Sequence, residues 1–436
     1  MQPKISVIIT IHNAERYLCE CLDSVCGQSF EEIEILCIDG GSTDSSPEIL
    51  SKCAKEDPRI RIINDPNTSY GHKVNVGIDL AKGEYIAVLE SDDYYEKNML
   101  ENLWLIVEKY HPDMVNGEYE MFWDVHGIRF HLPHQMYCKQ PYGQLIYNAQ
   151  HTEDMEIMDR FWTGIFRREF IQQKGIRLNE SPGASFQDMS FRFLLSVLAE
   201  TTYHLPTVVY QYRMDNPGSS MKDPSKTVVI ADEHAYLQQE LEKRCISDKN
   251  IWYLRYYWKY MDFYGNIHRL QGPGREALFE RYQRELKADW EQKVLVDYSP
   301  EKYPFADRQI LENPDDYRRK IERDFQDFCR YTKRQQILLE KFADAKKIVI
   351  FGSGQIGRLL LRRELAAVRE RICCFADNSP EKIGTVLDGV KIISPNQAVE
   401  RNPDALFCIA NKKYGDEMKQ QLKDYGISEE QIIRYC

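Results

Sequence analysis

The chain has 436 residues, with 57 basic against 68 acidic side chains, a formal net charge of −11, 43% hydrophobic and 29% charged residues. That length exceeds one ordinary core, and the composition is that of a globular protein, which excludes a disordered or membrane-embedded chain. The acidic excess excludes a general nucleic-acid binder, because no basic surplus exists to neutralise phosphates.

In chain order, residues 5–11 are a β-branched run that predicts a buried strand. The run is too short for a signal-peptide core or a membrane span, so a cytoplasmic location is expected, with contact at the inner membrane face left open. Residues 14–28 carry Leu18, Leu22 and Val25 at helical spacing, and 33–38 read as the next strand, ending at Asp39-Gly40-Gly41. Helix over 47–55, strand over 60–63, helix over 74–81 and strand over 85–89 continue the alternation. Such a series predicts a Rossmann-like α/β domain, residues 1–225, whose largely parallel sheet carries its ligand at the carboxyl ends of the strands.

Residues 226–342 predict a helical module, in which Tyr253, Tyr256, Tyr257 and Tyr260 recur at helical spacing. Aromatics so spaced are core or dimer-interface residues first. Stacking on sugars or settling on a membrane surface stays open. Residues 343–436 predict a second, smaller Rossmann-like domain: strand 347–351, then Gly352-Ser353-Gly354-Gln355-Ile356-Gly357, helix 358–368, strand 372–376 and Asp377. This is the dinucleotide fingerprint in its context, with Gly352, Gly354 and Gly357 admitting a pyrophosphate and Asp377 placed for a ribose. The domain either binds a nucleotide or keeps the fold for packing. Twelve scattered cysteines without a Cys-x-x-Cys pair predict mostly buried thiols, and adjacent Cys373 and Cys374 predict a strand buried on both faces.

Two clusters carry chemistry. Asp39-Gly40-Gly41-Ser42-Thr43-Asp44 lets backbone approach a ligand while Asp39 reaches a base or ribose, or else is a turn in which Asp44 or Ser45 caps the next helix. Glu90-Ser91-Asp92-Asp93 crowds three carboxylates at one strand end, which is costly unless a hard cation such as Mg²⁺ or Mn²⁺ sits among them; a helix cap explains Asp93 alone. His131 and His134 flank Pro133, which disfavours a helical zinc pair and predicts a loop near the acceptor.

These motifs and their spacing resemble the family 2 inverting glycosyltransferases over roughly residues 3 to 220. The resemblance implies the glycosyltransferase A fold, with a nucleotide diphosphate sugar across the sheet and Mn²⁺ or Mg²⁺ bridging its phosphates. By position, Thr10, Ile11 and His12 line the nucleobase pocket, Asp39 lies beside the base, Glu90 and Ser91 border the donor, and Asp92 ligates the metal. Gly40 and Glu90 stand where the family has Asp, which leaves the donor base open. Lys73-Val74-Asn75 stands where the family has Ala-Arg-Asn, so Lys73 or His72 takes the contact to base or diphosphate. Asp188, after Gln187 in place of the family's Glu, is the implied general base, framed by Tyr210-Gln211-Tyr212-Arg213 and Asn216-Pro217-Gly218. The implied reaction is a single sugar addition to a glycan or lipid-linked acceptor in cell-surface polysaccharide synthesis. Two other readings compete with it: a sugar-nucleotide oxidoreductase using NAD at the C-terminal domain, and a non-catalytic nucleotide-sugar-binding protein.

Overall fold

The computed structural model describes residues 2–134, 142–148, 160–219, 229–292 and 309–435. They form two compact units, Met1–Tyr119 with His134–Phe328 and Glu120–Pro133 with Cys329–Cys436.

The first unit opens β1 (Ile5–Ile11), α1 (Leu18–Cys26), β2 (Ile33–Asp39), α2 (Ser46–Glu56), β3 (Ile60–Asn64), α3 (Tyr70–Leu80) and β4 (Tyr85–Glu90). The chain continues with β5 (Tyr94–Tyr95), α4 (Met99–Tyr110), β6 (Met114–Val125), β7 (Ile128–His134), β8 (Leu145–Tyr147), β9 (Gly164–Arg167), α5 (Arg168–Lys174), α6 (Gln187–Leu198) and β10 (Thr201–Arg213), of which residues 120–133 in β6 and β7 belong to the second unit. The path of its sheet is β3-β2-β1-β4-β9-β6-β10-β5, with β7 on β6 and β8 on β10. Strands β3, β2, β1 and β4 run parallel, whereas β9 pairs antiparallel with both β4 and β6. The sheet is therefore mixed, and the expected parallel order holds for its first half.

Every residue of β1 and β2 is buried, which explains their continuous apolar runs. Each such Ile or Val contributes about 1.5–3 kcal/mol relative to exposure. Helix α3 lies close on β1: a Cβ on Gly77 would stand 2.5 Å from Ile8 Cγ2. The strand ends come level, with Ile11 beside Asp39, Thr10 beside Glu90 and Asp39 beside Asn64. The candidate donor residues thus share one edge of the sheet.

Helices α7 (Val229–Lys243), α8 (Lys249–Arg269), α9 (Gly272–Glu291), α10 (Gln309–Glu312) and α11 (Pro314–Asp344) follow. Tyr260 and Tyr282 are fully buried and stacked, so this aromatic spacing serves a core. No helix among the described residues is long and apolar enough to cross a membrane.

The second unit adds β11 (Ile348–Phe351), α12 (Gln355–Arg362), β12 (Ile372–Ala376), β13 (Val386–Leu387), β14 (Val390–Ile393), α13 (Pro395–Arg401), β15 (Leu406–Ile409), α14 (Gly415–Asp424) and β16 (Ile432–Arg434). Sheet order is β13-β14-β12-β11-β15-β16. Alternate residues of β11 feed two cores, Ile348 and Ile350 one, Val349 and Phe351 the other. The first of these cores also takes Phe130 from the β6–β7 hairpin and Leu339 and Phe342 from α11. The expected boundary at residue 343 therefore misses two pieces that cover one face of this sheet. The hairpin turns at His126 and Gly127, whose φ angles of 49° and 80° suit a type I′ turn. His131 consequently lies in a strand, stacked on Phe122 and 3.5 Å from Glu120, rather than in an acceptor loop; the His134 side chain lies outside the described residues.

All ten described cysteines are free, but only Cys21, Cys37, Cys374 and Cys408 are buried. Cys373 is exposed, so β12 is not covered on both faces at its start.

Candidate active site

Two loops after β1 and β2 are laced together. Asn13 N–H donates to Ser42 Oγ, Thr43 N–H to Asn13 Oδ1, and Ala14 N–H to Ser46 Oγ, at 3.0, 2.8 and 2.9 Å. Asp44 receives the N–H groups of Glu15 and Ser46, which makes it the anchor for the start of α2, while Ser45 makes no side-chain cap. Asp39 is 5% exposed and takes Ser42 N–H and Oγ–H on Oδ1, at 3.1 and 2.6 Å. Its Oδ2 has no hydrogen bond among the described residues. Thr10 and Ile11 are buried beside it, and exposed His12 holds its Nδ1 3.2 Å from Gly40 O.

Helix α3 starts at Tyr70, earlier than apolar spacing alone predicts, because Ser69 Oγ caps it by accepting from His72 N–H at 3.2 Å. His72 is occupied structurally: its two ring nitrogens lie 2.8 Å from Glu180 and 3.0 Å from Asp65. These carboxylates, Glu180 foremost, raise the His72 pKa above the usual histidine value. The paired state is thus fully present below about pH 6.5 and is lost as pH rises through the raised folded value. Over that rise the native chain is expected to lose up to about 1 kcal/mol of stability, a figure kept small because the pair is partly solvated. Melting temperatures of native protein and His72→Gln across this range check it; parallel curves would contradict it.

Lys73, by contrast, is 5% exposed rather than solvated. Burial pushes its pKa down, with Asp65, Asp39 and Glu90 acting the other way. Asn75 bonds Leu178 through both amide ends, at 3.0 Å each, and a Cβ on Gly71 would stand 1.9 Å from Asn179 O. The first turn of α3 is therefore locked to the segment that leads into α6.

The acidic motif at the end of β4 separates into different roles. Tyr70 Oη donates to Glu90 at 2.5 Å. Burial pushes Glu90 up to about 8, with Asp92 and Asp188 adding to the rise and Tyr70 and Lys73 opposing it. Asp93 is buried and accepts from Tyr210 Oη at 2.7 Å and Arg213 N–H at 2.8 Å. Burial, then the Asp92 charge, holds its pKa well above the usual range. Asp93 caps no helix, since the residue before α4 is Asn98. The crowding that the sequence assigns to a cation is therefore largely relieved by protein donors and raised pKa values. Asp92 remains the half-buried carboxylate facing out of the motif beside Ser91, with Asn216 Nδ2 donating to Oδ2 at 2.7 Å and Arg213 Nε holding its backbone oxygen at 2.9 Å.

No group of three or more acidic, histidine or cysteine side chains among the described residues forms a ready metal site. One carboxylate suits Mg²⁺ or Mn²⁺ when substrate phosphates and water complete the octahedron, so Asp92 fits a shared cation and excludes an all-protein cage.

Asp188 lies in the first turn of α6 and caps nothing; Arg192 Nε stands 3.0 Å from its Oδ2 and the guanidinium lies over the Trp258 ring of α8. Gln187, buried, accepts Ser185 N–H and donates to the carbonyls of Ser181 and Gly183. On the far side, Glu233 of α7 accepts from Asn179 and Ser181 at 2.9 and 2.8 Å. The Asp188 charge adds to the rise in pKa of both Glu90 and Tyr70, after burial. Motif spacing assigns no role to Tyr70, Arg192, Tyr210, Arg213 or Asn216, although the Tyr210-to-Asn216 stretch is a visible signal for three of them.

In the second unit, Gly352 has φ +113°, and a Cβ on Gly357 would stand 2.0 Å from Gly352 O, so both glycines are required by the turn. Gly354 has open space around it. Asp377 is engaged with its own loop: Oδ2 takes Ser353 N–H and hydroxyl, and Oδ1 takes Ser379 N–H at 2.9 Å. This acid holds its own glycine loop.

Residues 6–172 match the family described as Glycosyl transferase family 2, and residues 344–433 match C2185-like, N-terminal. The uncharacterized glycosyltransferase EpsJ of Bacillus subtilis is 28% identical over 269 residues, 59% of this chain and 76% of its own length. The glycosyltransferase GlyG of Streptococcus pneumoniae serotype 4 is 36% identical over 153 residues, 34% of this chain and 51% of its own length. Among solved structures, S. aureus TarS 1-349 in complex with UDP-GlcNAc covers 71% of this chain and 92% of its own, at 19% identity and a TM-score of 0.45.

Proposed function

Starting from a glycosyltransferase family 2 domain over residues 6–172, we propose that this chain moves a sugar from a nucleotide diphosphate sugar to a hydroxyl of a glycan or lipid-linked acceptor, with inversion. What supports this reading is that Asp92 and Asp188, far apart in the chain, both act on the charge of Glu90 at the end of β4.

Thr10, Ile11, His12, Asp39 and Lys73 form the donor's base and ribose side, and Glu90 and Ser91 border its diphosphate. Asp92 is the residue that would hold Mn²⁺ or Mg²⁺, and such a cation supplies charge neutralisation on the departing diphosphate. Asp188 takes the proton of the acceptor hydroxyl as that oxygen bonds the anomeric carbon and the diphosphate leaves from the opposite face. Arg192 aims the carboxylate, and the segment fixed by Gln187, Glu233 and α3 keeps it in place for in-line attack. No covalent intermediate on the protein is needed.

The test is release of nucleoside diphosphate from a panel of UDP- and GDP-sugars, with and without Mn²⁺ and with oligosaccharide or glycolipid acceptors. Metal-dependent release from one donor, with an inverted anomeric product, is expected. A folded protein that turns over no donor on any acceptor, or a product with retained configuration, would contradict the proposal.

A further inference from the structure

One face of α11 carries a row of cations, in a chain whose net charge is −11. Arg330, Lys333, Arg334, Ile337 and Lys341 stand at i, i+3, i+4, i+7 and i+11, which puts them on one side of the helix. Leu339, Phe342 and Ala343, which enter the core of the second unit, fall on the opposite side. The row borders a groove of about 300 Å³ against β16, the last strand of the sheet, where Ile432 and Arg434 complete the lining. All of these residues belong to the second unit.

The protein does little to neutralise this row. Lys333 makes no hydrogen bond or ion pair among the described residues. Arg334 Nη2 donates to Arg434 O at 2.9 Å and Lys341 Nζ to Glu430 O at 3.2 Å, so both cover backbone carbonyls at the sheet edge and have no carboxylate among the described residues. Arg434 is paired with Asp416 at 2.6 Å. Arg330 is a like-charge neighbour of Lys333 at i+3 and of Arg334 at i+4, an arrangement that costs helix stability unless an external anion offsets it. Apolar surface is exposed among the charges: Ile337, in the middle of the row, is 41% exposed, and Tyr331, at its margin, 67%.

Length and composition select the partner. From Arg330 to Lys341 the row runs roughly 16 Å at 1.5 Å per residue, so a single phosphate meets one or two of its charges, whereas an extended anionic surface meets them together. Ile and Tyr side chains settle at the boundary between lipid headgroups and acyl chains, and the long Lys and Arg stems reach back to the phosphates. A hydrophilic polyanion would use the charges and leave Ile337 and Tyr331 without a role. We propose that this face of α11 docks the chain on an anionic lipid surface, with Lys333, Arg334 and Lys341 on lipid phosphates and Ile337 and Tyr331 in the headgroup region.

Co-sedimentation of the full chain with vesicles of phosphatidylcholine and phosphatidylglycerol, about two to one, against pure phosphatidylcholine tests it. The proteins are the native chain, the double variant Lys333→Gln with Arg334→Gln, and Ile337→Ser; all three positions are exposed. Native protein is expected to bind the anionic vesicles at least about tenfold better than the neutral ones and to be released by salt. The double variant removes two charges and should bind about 10- to 50-fold more weakly. Ile337→Ser keeps the charges and should lose about three- to tenfold. No native preference for anionic vesicles, or a double variant that binds as the native chain does, would overturn the proposal. Binding that depends on the charges but not on Ile337 would overturn it in favour of a soluble polyanion. Self-association of the native chain that the double variant loses, without vesicle binding, would overturn it in favour of a second copy of this acidic chain.

Discussion

Replacing Asp188 with asparagine is expected to lower kcat by about 10²- to 10⁴-fold while donor affinity stays within a few-fold. Asparagine keeps the shape and the polar contact towards Arg192 but cannot take a proton. The fold depends little on the charge: among the described residues Asp188 makes no helix cap, and its ion pair with Arg192 is of the kind worth about 0–1 kcal/mol. A melting temperature near that of the native chain, together with the lost turnover, would therefore mark a chemical role. Native turnover in the variant would move the base to another residue.

Asp92→Ala is expected to reduce activity by about 10²-fold or more and to abolish its dependence on Mn²⁺. The substitution is mild structurally, because Arg213 holds residue 92 by its backbone oxygen and the lost side-chain partner, Asn216, is on a surface loop. Steady-state rates across a Mn²⁺ titration measure the effect. An unchanged metal dependence would mean that the cation binds without Asp92.

Much of the first unit was legible in the sequence because its parallel strands are buried on both faces and read as unbroken apolar runs, as at Ile5–Ile11. The antiparallel half was not, since β9 is four residues long and reaches β4 from far down the chain. The start of α3 was missed for a local reason: the cap by Ser69 precedes any apolar periodicity. The hairpin that lends Phe130 to the second unit was invisible for a topological one, because no pattern in residues 120–133 says which core they enter.

At the site, the positions of Asp39, Asp92 and Asp188 could be named from motif spacing, but their separate environments could not. Sequence counts Glu90, Asp92 and Asp93 as three like charges; the structure gives the first to Tyr70 and the last to Tyr210 and Arg213. The same holds for His72 and Lys73, adjacent residues of which one is tied by two carboxylates and the other is buried with no partner among the described residues. Asp377 is a motif acid whose oxygens also serve its own loop, which spacing alone does not reveal.

The most direct measurement is the thermal stability of the native chain and of Asp92→Ala with nucleoside diphosphates, each with and without Mn²⁺. A ligand at 100 times its Kd stabilises the fold by about 2.7 kcal/mol, well within detection. The account predicts a Mn²⁺-dependent rise for one nucleoside diphosphate in the native chain and no metal-dependent part in Asp92→Ala. A native chain that responds to no nucleoside diphosphate, or a variant that keeps the full metal-dependent rise, would contradict it.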